Sequence, residues 1–254
     1  MKNTTHKKYS TGLIMIEDPF YSIETLKQIN ESSNLKYVIL HTDFISLNRI
    51  IKTLFIYGPI NFTRTVIAVL NNMIRGGLIK EYLRNNEIKF IETNSINNET
   101  TYEFAEKHNI DFLISFNCPQ IIKKRLLRLP KIYPLNIHSS LLPNYRGLFP
   151  TFHAFLQKEE KVGMSIHIMN EKFDDGEILI QSTVPVETND NLLSLYKKSF
   201  STVPKMLIEL FVNFRKLDLT KKENNPNNSS YYSYPSFKDV LNFRIMIIKK
   251  RLNI

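Results

Sequence analysis

The sequence predicts an α/β fold of the Rossmann-like, doubly wound kind, with a mostly parallel sheet and a small C-terminal helical appendage. Three observations carry this. Short apolar runs of strand length alternate with stretches of helical spacing through the first half of the chain, the pattern of a parallel sheet covered by helices. Polar residues gather where the strand-like runs end, and in such sheets ligands bind outside the carboxyl ends of the strands. Near residue 220 a polar stretch, KKENNPNNSS, separates the body of the chain from a short aromatic and helical tail.

Taken in order, Thr11-Gly12-Leu13-Ile14-Met15-Ile16 reads as the first strand, 21–31 has helical spacing, and LKYVILH at 35–41 reads as the second strand. No G-x-G-x-x-G lies between the two strands, so a dinucleotide site of the usual kind is not supported. The stretch 44–83 is long, apolar and basic. Pro59 divides it into two helical pieces, Arg75-Gly76-Gly77 ends or bends the second, and Arg64 and Arg75 make it too charged to cross a membrane as a helix. It reads as helices packed on the sheet, with a partner or membrane-surface face as the alternative.

A strand follows at 88–92, a helix at 99–108, a strand at 111–116, then the loop Asn117-Cys118-Pro119-Gln120-Ile121 and a helix to 129. Cys118 is read as structural. Further on, 178–186 is a strand, and 191–200 and 203–216 are helices, so the expected units are a core domain over 1–219, a polar linker of the disordered kind over 220–230, and a tail over 231–254. The tail holds Tyr231-Tyr232-Ser233-Tyr234-Pro235 and a helix over 237–252. Its aromatic cluster reads as packing against the core, with base stacking as the alternative. The last helix is apolar and basic, which suits a partner or an acidic surface.

The chemistry is expected between Pro134 and Gln181. Asn136 and His138 lie two residues apart at the end of an apolar run, so in a strand both face the same side. Leu141-Leu142-Pro143 and the turn-like Asn144-Tyr145-Arg146-Gly147 follow. After a short apolar helix, 162–169 reads as a strand with Ser165 and His167 on one face, and Phe173-Asp174-Asp175-Gly176 forms another polar turn. His153 and His167 are read as satisfied structural histidines, and Asp175 as a residue that shapes the turn. An amide, an imidazole and a carboxylate without a serine or cysteine nucleophile suit acyl transfer to an external nucleophile. The amide N–H and a protonated imidazole can stabilise an oxyanion, and the carboxylate can set the imidazole's protonation.

The run Asn136-x-His138-x-Ser140-Leu141-Leu142-Pro143, then Tyr145-Arg146-Gly147, then Asp174-x-Gly176, resembles the 10-formyltetrahydrofolate-dependent formyltransferases, which include glycinamide ribonucleotide, methionyl-tRNA and sugar N-formyltransferases. Asp174 lies 36 residues beyond His138, the spacing usual in that family. The resemblance covers 111–186 well, the tail loosely, and the first hundred residues only by fold pattern.

It implies Asn136, His138 and Asp174 as catalytic residues, with Asp174 orienting His138 through a water. It implies 10-formyltetrahydrofolate as the formyl donor, with Gln120, Ile121 and Phe173 at the donor and Tyr145 and Arg146 at the acceptor. The implied acceptor is a primary amine, in first place that of a nucleotide-linked amino sugar. The chain is shorter than methionyl-tRNA formyltransferases with their C-terminal barrel, and its Tyr-Tyr-Ser-Tyr-Pro tail resembles proteins of sugar modification, so tRNA is the lesser expectation. The alternatives kept open are methionyl-tRNA or glycinamide ribonucleotide formyltransferase-like activity, a hydrolase of 10-formyltetrahydrofolate, and a non-catalytic, basic nucleic-acid- or membrane-surface-binding protein.

Composition bounds these readings. With 254 residues, 43% hydrophobic and 23% charged, the chain is of ordinary globular make-up and long enough for a substantial core. Its single cysteine excludes an internal disulfide framework, and no Cys/His cluster has zinc-like spacing, so no metal is expected. The start is lysine-bearing and its first apolar run is cut short by Glu17 and Asp18, so neither a signal peptide nor an integral membrane segment is expected, and the location is read as cytoplasmic. A net charge of +10 favours anionic partners, although Lys-, Asn- and Ile-rich codon usage gives the same excess. A homodimer is compatible with all of this.

Overall fold

The structure, a computed structural model, describes residues 9–16, 22–42, 54, 56, 62–63, 66–67, 77–225, 227 and 229–252. Most of the 44–83 expectation, with Pro59, Arg64 and Arg75, therefore lies outside the described residues. The chain runs β1 (Ser10–Ile16), α1 (Ser22–Ser32), β2 (Asn34–His41), α2 (Leu78–Asn85), β3 (Lys89–Thr93), α3 (Glu99–Glu106), β4 (Phe112–Phe116), α4 (Lys124–Leu127) and β5 (Tyr133–His138). It continues through β6 (Arg146–Gly147), α5 (Pro150–Leu156), β7 (Lys161–Ile168), β8 (Ile178–Pro185), α6 (Leu192–Phe200), α7 (Val203–Leu219), β9 (Tyr231–Tyr232) and α8 (Phe237–Leu252).

Seven strands form one sheet in the order β3-β2-β1-β4-β5-β7-β8. The first five are parallel, and β7 and β8 join antiparallel. The doubly wound, mostly parallel architecture is thus the one the alternating pattern predicts. In β1 and β4 nearly every residue is buried, as strands covered on both faces require. Successive residues enter opposite layers: Leu13 and Met15 join the larger core with Phe112 and Ile114, while Ile14 joins the smaller one with Tyr37, Ile39 and Leu113.

The expected helix reaching 129 is a single turn, because Pro130 follows closely and leaves no room for a second. The described residues of the stretch 220–230 are tied to the body of the chain. Lys222 exchanges backbone hydrogen bonds with Ile178 at 2.8 and 2.9 Å, Asn224 is buried, and Ser230 accepts from the backbone N–H groups of both Tyr145 and Arg146. Polar side chains in such a run find partners in a neighbouring turn as readily as in water, so the composition of a linker here builds a strap.

The strap leads the tail onto the body. Tyr231–Tyr232 pairs in parallel with Arg146–Gly147. Tyr232 stacks on His153 at 4.3 Å and on Tyr145 at 5.4 Å, and Phe243 of α8 packs 4.9 Å from Phe152 of α5.

Candidate active site

The strand order reverses beside β1: β2 lies on one side and β4 on the other, which leaves a crevice at the carboxyl ends of these strands. A cavity of about 380 Å³ opens there, in the range of small-molecule sites. It lies between the loop after β4, the end of β5 and the turn between β7 and β8. Apolar side chains such as Ile16, Ile122 and Phe200 line one part, and Asn136, His138, His167 and Asp174 another.

Pairing explains how these four meet. Asn136 and His138 point to one side of β5, and the antiparallel register sets His167 opposite Asn136 and Ser165 opposite His138. The β7–β8 turn then brings Asp174 back over them. Three nitrogens converge on Asp174 Oδ1: Asn136 Nδ2 at 3.0 Å, His167 Nε2 at 3.4 Å and His138 Nδ1 at 3.5 Å. Asp174 Oδ2 accepts the Gly147 backbone N–H at 2.8 Å.

These contacts fix the proton positions. His138 Nε2 lies 3.0 Å from the Tyr145 carbonyl, which can only accept, so Nε2 carries hydrogen and the exchangeable position is Nδ1, facing Asp174. His167 Nδ1 likewise donates to the Ile168 carbonyl at 2.9 Å, which leaves Nε2 turned toward Asn136 and Asp174. Burial pulls the His138 proton affinity below its ordinary value, against the opposing pull of Asp174 and the Tyr145 carbonyl, while His167 adds to the lowering. Burial alone would push the Asp174 carboxyl up, but the His138 and His167 imidazoles and the Gly147 N–H outweigh it and hold it well below the usual carboxylate range. The site therefore holds a fixed anion beside an imidazole whose Nδ1 proton is weakly held.

The expected trio is gathered in one place, with Asp174 touching His138 directly. Asn136 differs from expectation in one respect. Its amide faces Asp174 and His167, 3.0 and 3.2 Å away, rather than standing free as a donor.

Gln120, Ile121 and Phe173 all line the cavity. The Gln120 side chain, however, bridges to the loop after β3, accepting from the Ile96 N–H at 2.8 Å and donating to the Asn94 carbonyl at 3.1 Å, which leaves one amide hydrogen and one lone pair for other partners. Ile121 and Phe173 are exposed at the rim. Neither Tyr145 nor Arg146, expected at the acceptor, lines the cavity. The Tyr145 hydroxyl donates to Glu159 at 2.6 Å, and the buried Arg146 guanidinium bonds Asp175 at 2.6 Å and Asn224 at 2.8 Å. A guanidinium out of water needs such partners, and they hold it in the structure.

From the sequence alone His167 reads as a structural histidine. Its place two residues from Ser165 on one strand face was visible, but the register that sets it against Asn136 was not. Cys118 also lines the cavity, and burial pushes its thiol up to about 11, which keeps it protonated near neutral pH.

Residues 69–211, which include Asn136, His138, His167 and Asp174, match the formyl transferase family. The chain is 29% identical to a methionyl-tRNA formyltransferase of Ehrlichia canis over 84% of its own length and 64% of the relative's. It is 36% identical to a GDP-perosamine N-formyltransferase of Brucella melitensis over 51% of its own length and 50% of the relative's. It thus spans less than two thirds of these relatives. Among solved structures, an N-formyltransferase of Helicobacter canadensis, crystallised with folinic acid and dTDP-3-aminofucose, superposes with a TM-score of 0.59 at 19% identity, covering 91% of this chain and 78% of that one. The fold, the crevice and the match over more than half of the sequence agree: this chain belongs to the formyl transferase family.

Proposed function

We propose that this protein transfers a formyl group from 10-formyltetrahydrofolate to a primary amine carried by a nucleotide-linked sugar. The observation that carries the reading is the convergence of Asn136, His138 and His167 on one Asp174 oxygen at the wall of the cavity. The residues present suit such a donor. The loop after β4 offers main-chain groups at Gln120 and Ile121, and the Ile121 and Phe173 side chains give apolar walls to a flat ring system. When bound, the donor supplies an activated formyl carbon on nitrogen; the amine loses one proton and the donor nitrogen gains one.

The chain's own part is positioning and proton transfer. His138 can take up and release a proton at Nδ1, and it keeps its ring fixed through Nε2–H to the Tyr145 carbonyl. Asp174, ionised throughout the working pH range, stabilises that proton while it is there. Asn136 orients Asp174 and can turn an amide N–H toward charge that develops on an oxygen in the cavity. The acceptor class is supported by the relatives whose names and ligands are amino sugars on nucleotides.

A direct test mixes the protein with 10-formyltetrahydrofolate and a panel of nucleotide-linked amino sugars, looking for a product heavier by one formyl group. Methionyl-tRNA and glycinamide ribonucleotide are included as competing acceptors, and formate release without any amine is measured separately. Transfer to an amino sugar is the expected result. Preference for methionyl-tRNA would replace the acceptor, and formate release alone would replace the reaction.

A further inference from the structure

Asp174 adopts a left-handed backbone, φ +47°, a conformation that aspartate tolerates better than most residues and that contacts from its surroundings hold in place. Those contacts come from the C-terminal strap. Asn224 is buried, and its side-chain amide donates to the Asp174 carbonyl at 2.8 Å and to the Gly176 carbonyl at 3.0 Å, spanning the turn. Its side-chain and backbone oxygens both accept from Arg146 Nη2 at 2.8 Å, while Arg146 Nη1 donates to Asp175 at 2.6 Å. The next residue after Arg146 is Gly147, whose N–H holds Asp174 Oδ2. The contacts close into a ring: Asp174, Asn224, Arg146, Gly147 and back to Asp174.

Asn224 is itself fixed on both flanks, by the backbone bonds between Lys222 and Ile178 and by the pairing of Tyr231–Tyr232 with Arg146–Gly147. It does not line the cavity, so any influence it has on a reaction there passes through residues that do, Asp174 directly and Gly147 by way of Arg146. It also lies beyond residues 69–211, the part matched to the family.

We infer that Asn224 is a positioning residue of the active site: with Arg146 it clamps the turn so that the Asp174 carboxylate stays in contact with His138. The inference deepens the formyl-transfer reading and rests on it for its kinetic consequence. Asparagine suits the role because it supplies two N–H donors and one acceptor in one short side chain. Aspartate keeps the acceptor for Arg146 but faces two carbonyls with oxygen. Serine keeps a single donor.

The test uses the full chain with Asn224→Ala, Asn224→Asp and Asn224→Ser, and Asn225→Ala as a neighbouring control. Three quantities are read: thermal stability, kcat and KM for formyl transfer, and the titration midpoint of the His138 ring proton by NMR. The groups facing that ring are Asp174, His167 and the Tyr145 carbonyl. Once the carboxylate swings away, His138 loses the anion that favours its charged form. Its midpoint then falls by about half a unit or more.

We expect kcat to drop about 10- to 100-fold in the Ala and Asp variants, with KM changed less than about threefold, an intermediate loss for Ser, and no change for Asn225→Ala. If Asn224→Ala does not fold, the Ser variant carries the same readouts. A variant that loses thermal stability while kcat and the His138 midpoint stay at wild-type values overturns the inference, as does an Asp variant indistinguishable from wild type. The NMR titration needs no turnover. Were the wild-type protein to formylate no amine, the functional reading would fail and the titration alone would decide the clamp.

Discussion

Asp174 concentrates the chemistry of single side chains: one oxygen faces three nitrogens and the other a backbone N–H, so the carboxylate stays ionised and fixed. Asp174→Asn keeps the shape and removes the charge, and we expect kcat to fall about 100-fold or more with the far-ultraviolet circular dichroism unchanged. A variant within threefold of wild type would remove Asp174 from the reaction. His167 is a residue whose contacts only the geometry shows. It shares Asp174 Oδ1 with His138 and faces the Asn136 amide, so His167→Ala leaves Asp174 with fewer restraints. A loss in kcat of about tenfold is expected, smaller than for His138→Ala, in side-by-side initial-rate measurements.

At the scale of elements, the site depends on backbones that approach one another closely. Gly176 packs so tightly against the Ile168 carbonyl that an added methyl group would overlap backbone, and it sits in the turn that carries Asp174. Gly147 has φ +93° and lies against the Tyr232 carbonyl where β6 meets β9. We expect Gly176→Ala and Gly147→Ala each to cost about 1–3 kcal/mol in denaturant unfolding, because backbone on both sides must shift. Loss of activity should accompany loss of stability in both, since each glycine borders Asp174. The polar turn compositions were legible in the sequence, as were most strands. The two-residue pairing of β6 with β9 was not, because elements this short carry no periodicity.

Across the whole molecule, buried titratable groups set the response to pH. Burial lowers the proton affinity of His138 and of His153, the latter against the Ser233 carbonyl and Asp239. A lowered histidine leaves folding unaffected above its ordinary value of about 6.5. As pH falls below that value the unfolded chain takes up the proton first, and stability declines. Asp174, also lowered, adds stability that is complete above about 3.8 and is lost as pH falls through its folded value. Thermal unfolding should therefore move to lower temperature in a first stage below about pH 6.5 and a second below about pH 4. The first stage should shrink in a His153→Phe variant, and a melting temperature flat from pH 7 to 5 would contradict the argument. Among the described residues no helix is long and apolar enough to cross a membrane.

Several features followed from the sequence by itself: a parallel sheet wound in two directions, a strand bringing Asn136 and His138 to one side, and an acidic turn at Asp174. Each rests on local periodicity or on residue types at short spacing, and a chain read in one dimension carries that information. Other features were decided only when distant segments met. The antiparallel register made His167 a partner of Asn136, and the strap turned an apparent linker into the support of the Asp174 turn. Arg146, for its part, was drawn into an ion pair with Asp175. A buried polar group must be satisfied wherever the fold places it, and its partner is set by three-dimensional proximity that spacing along the chain does not encode.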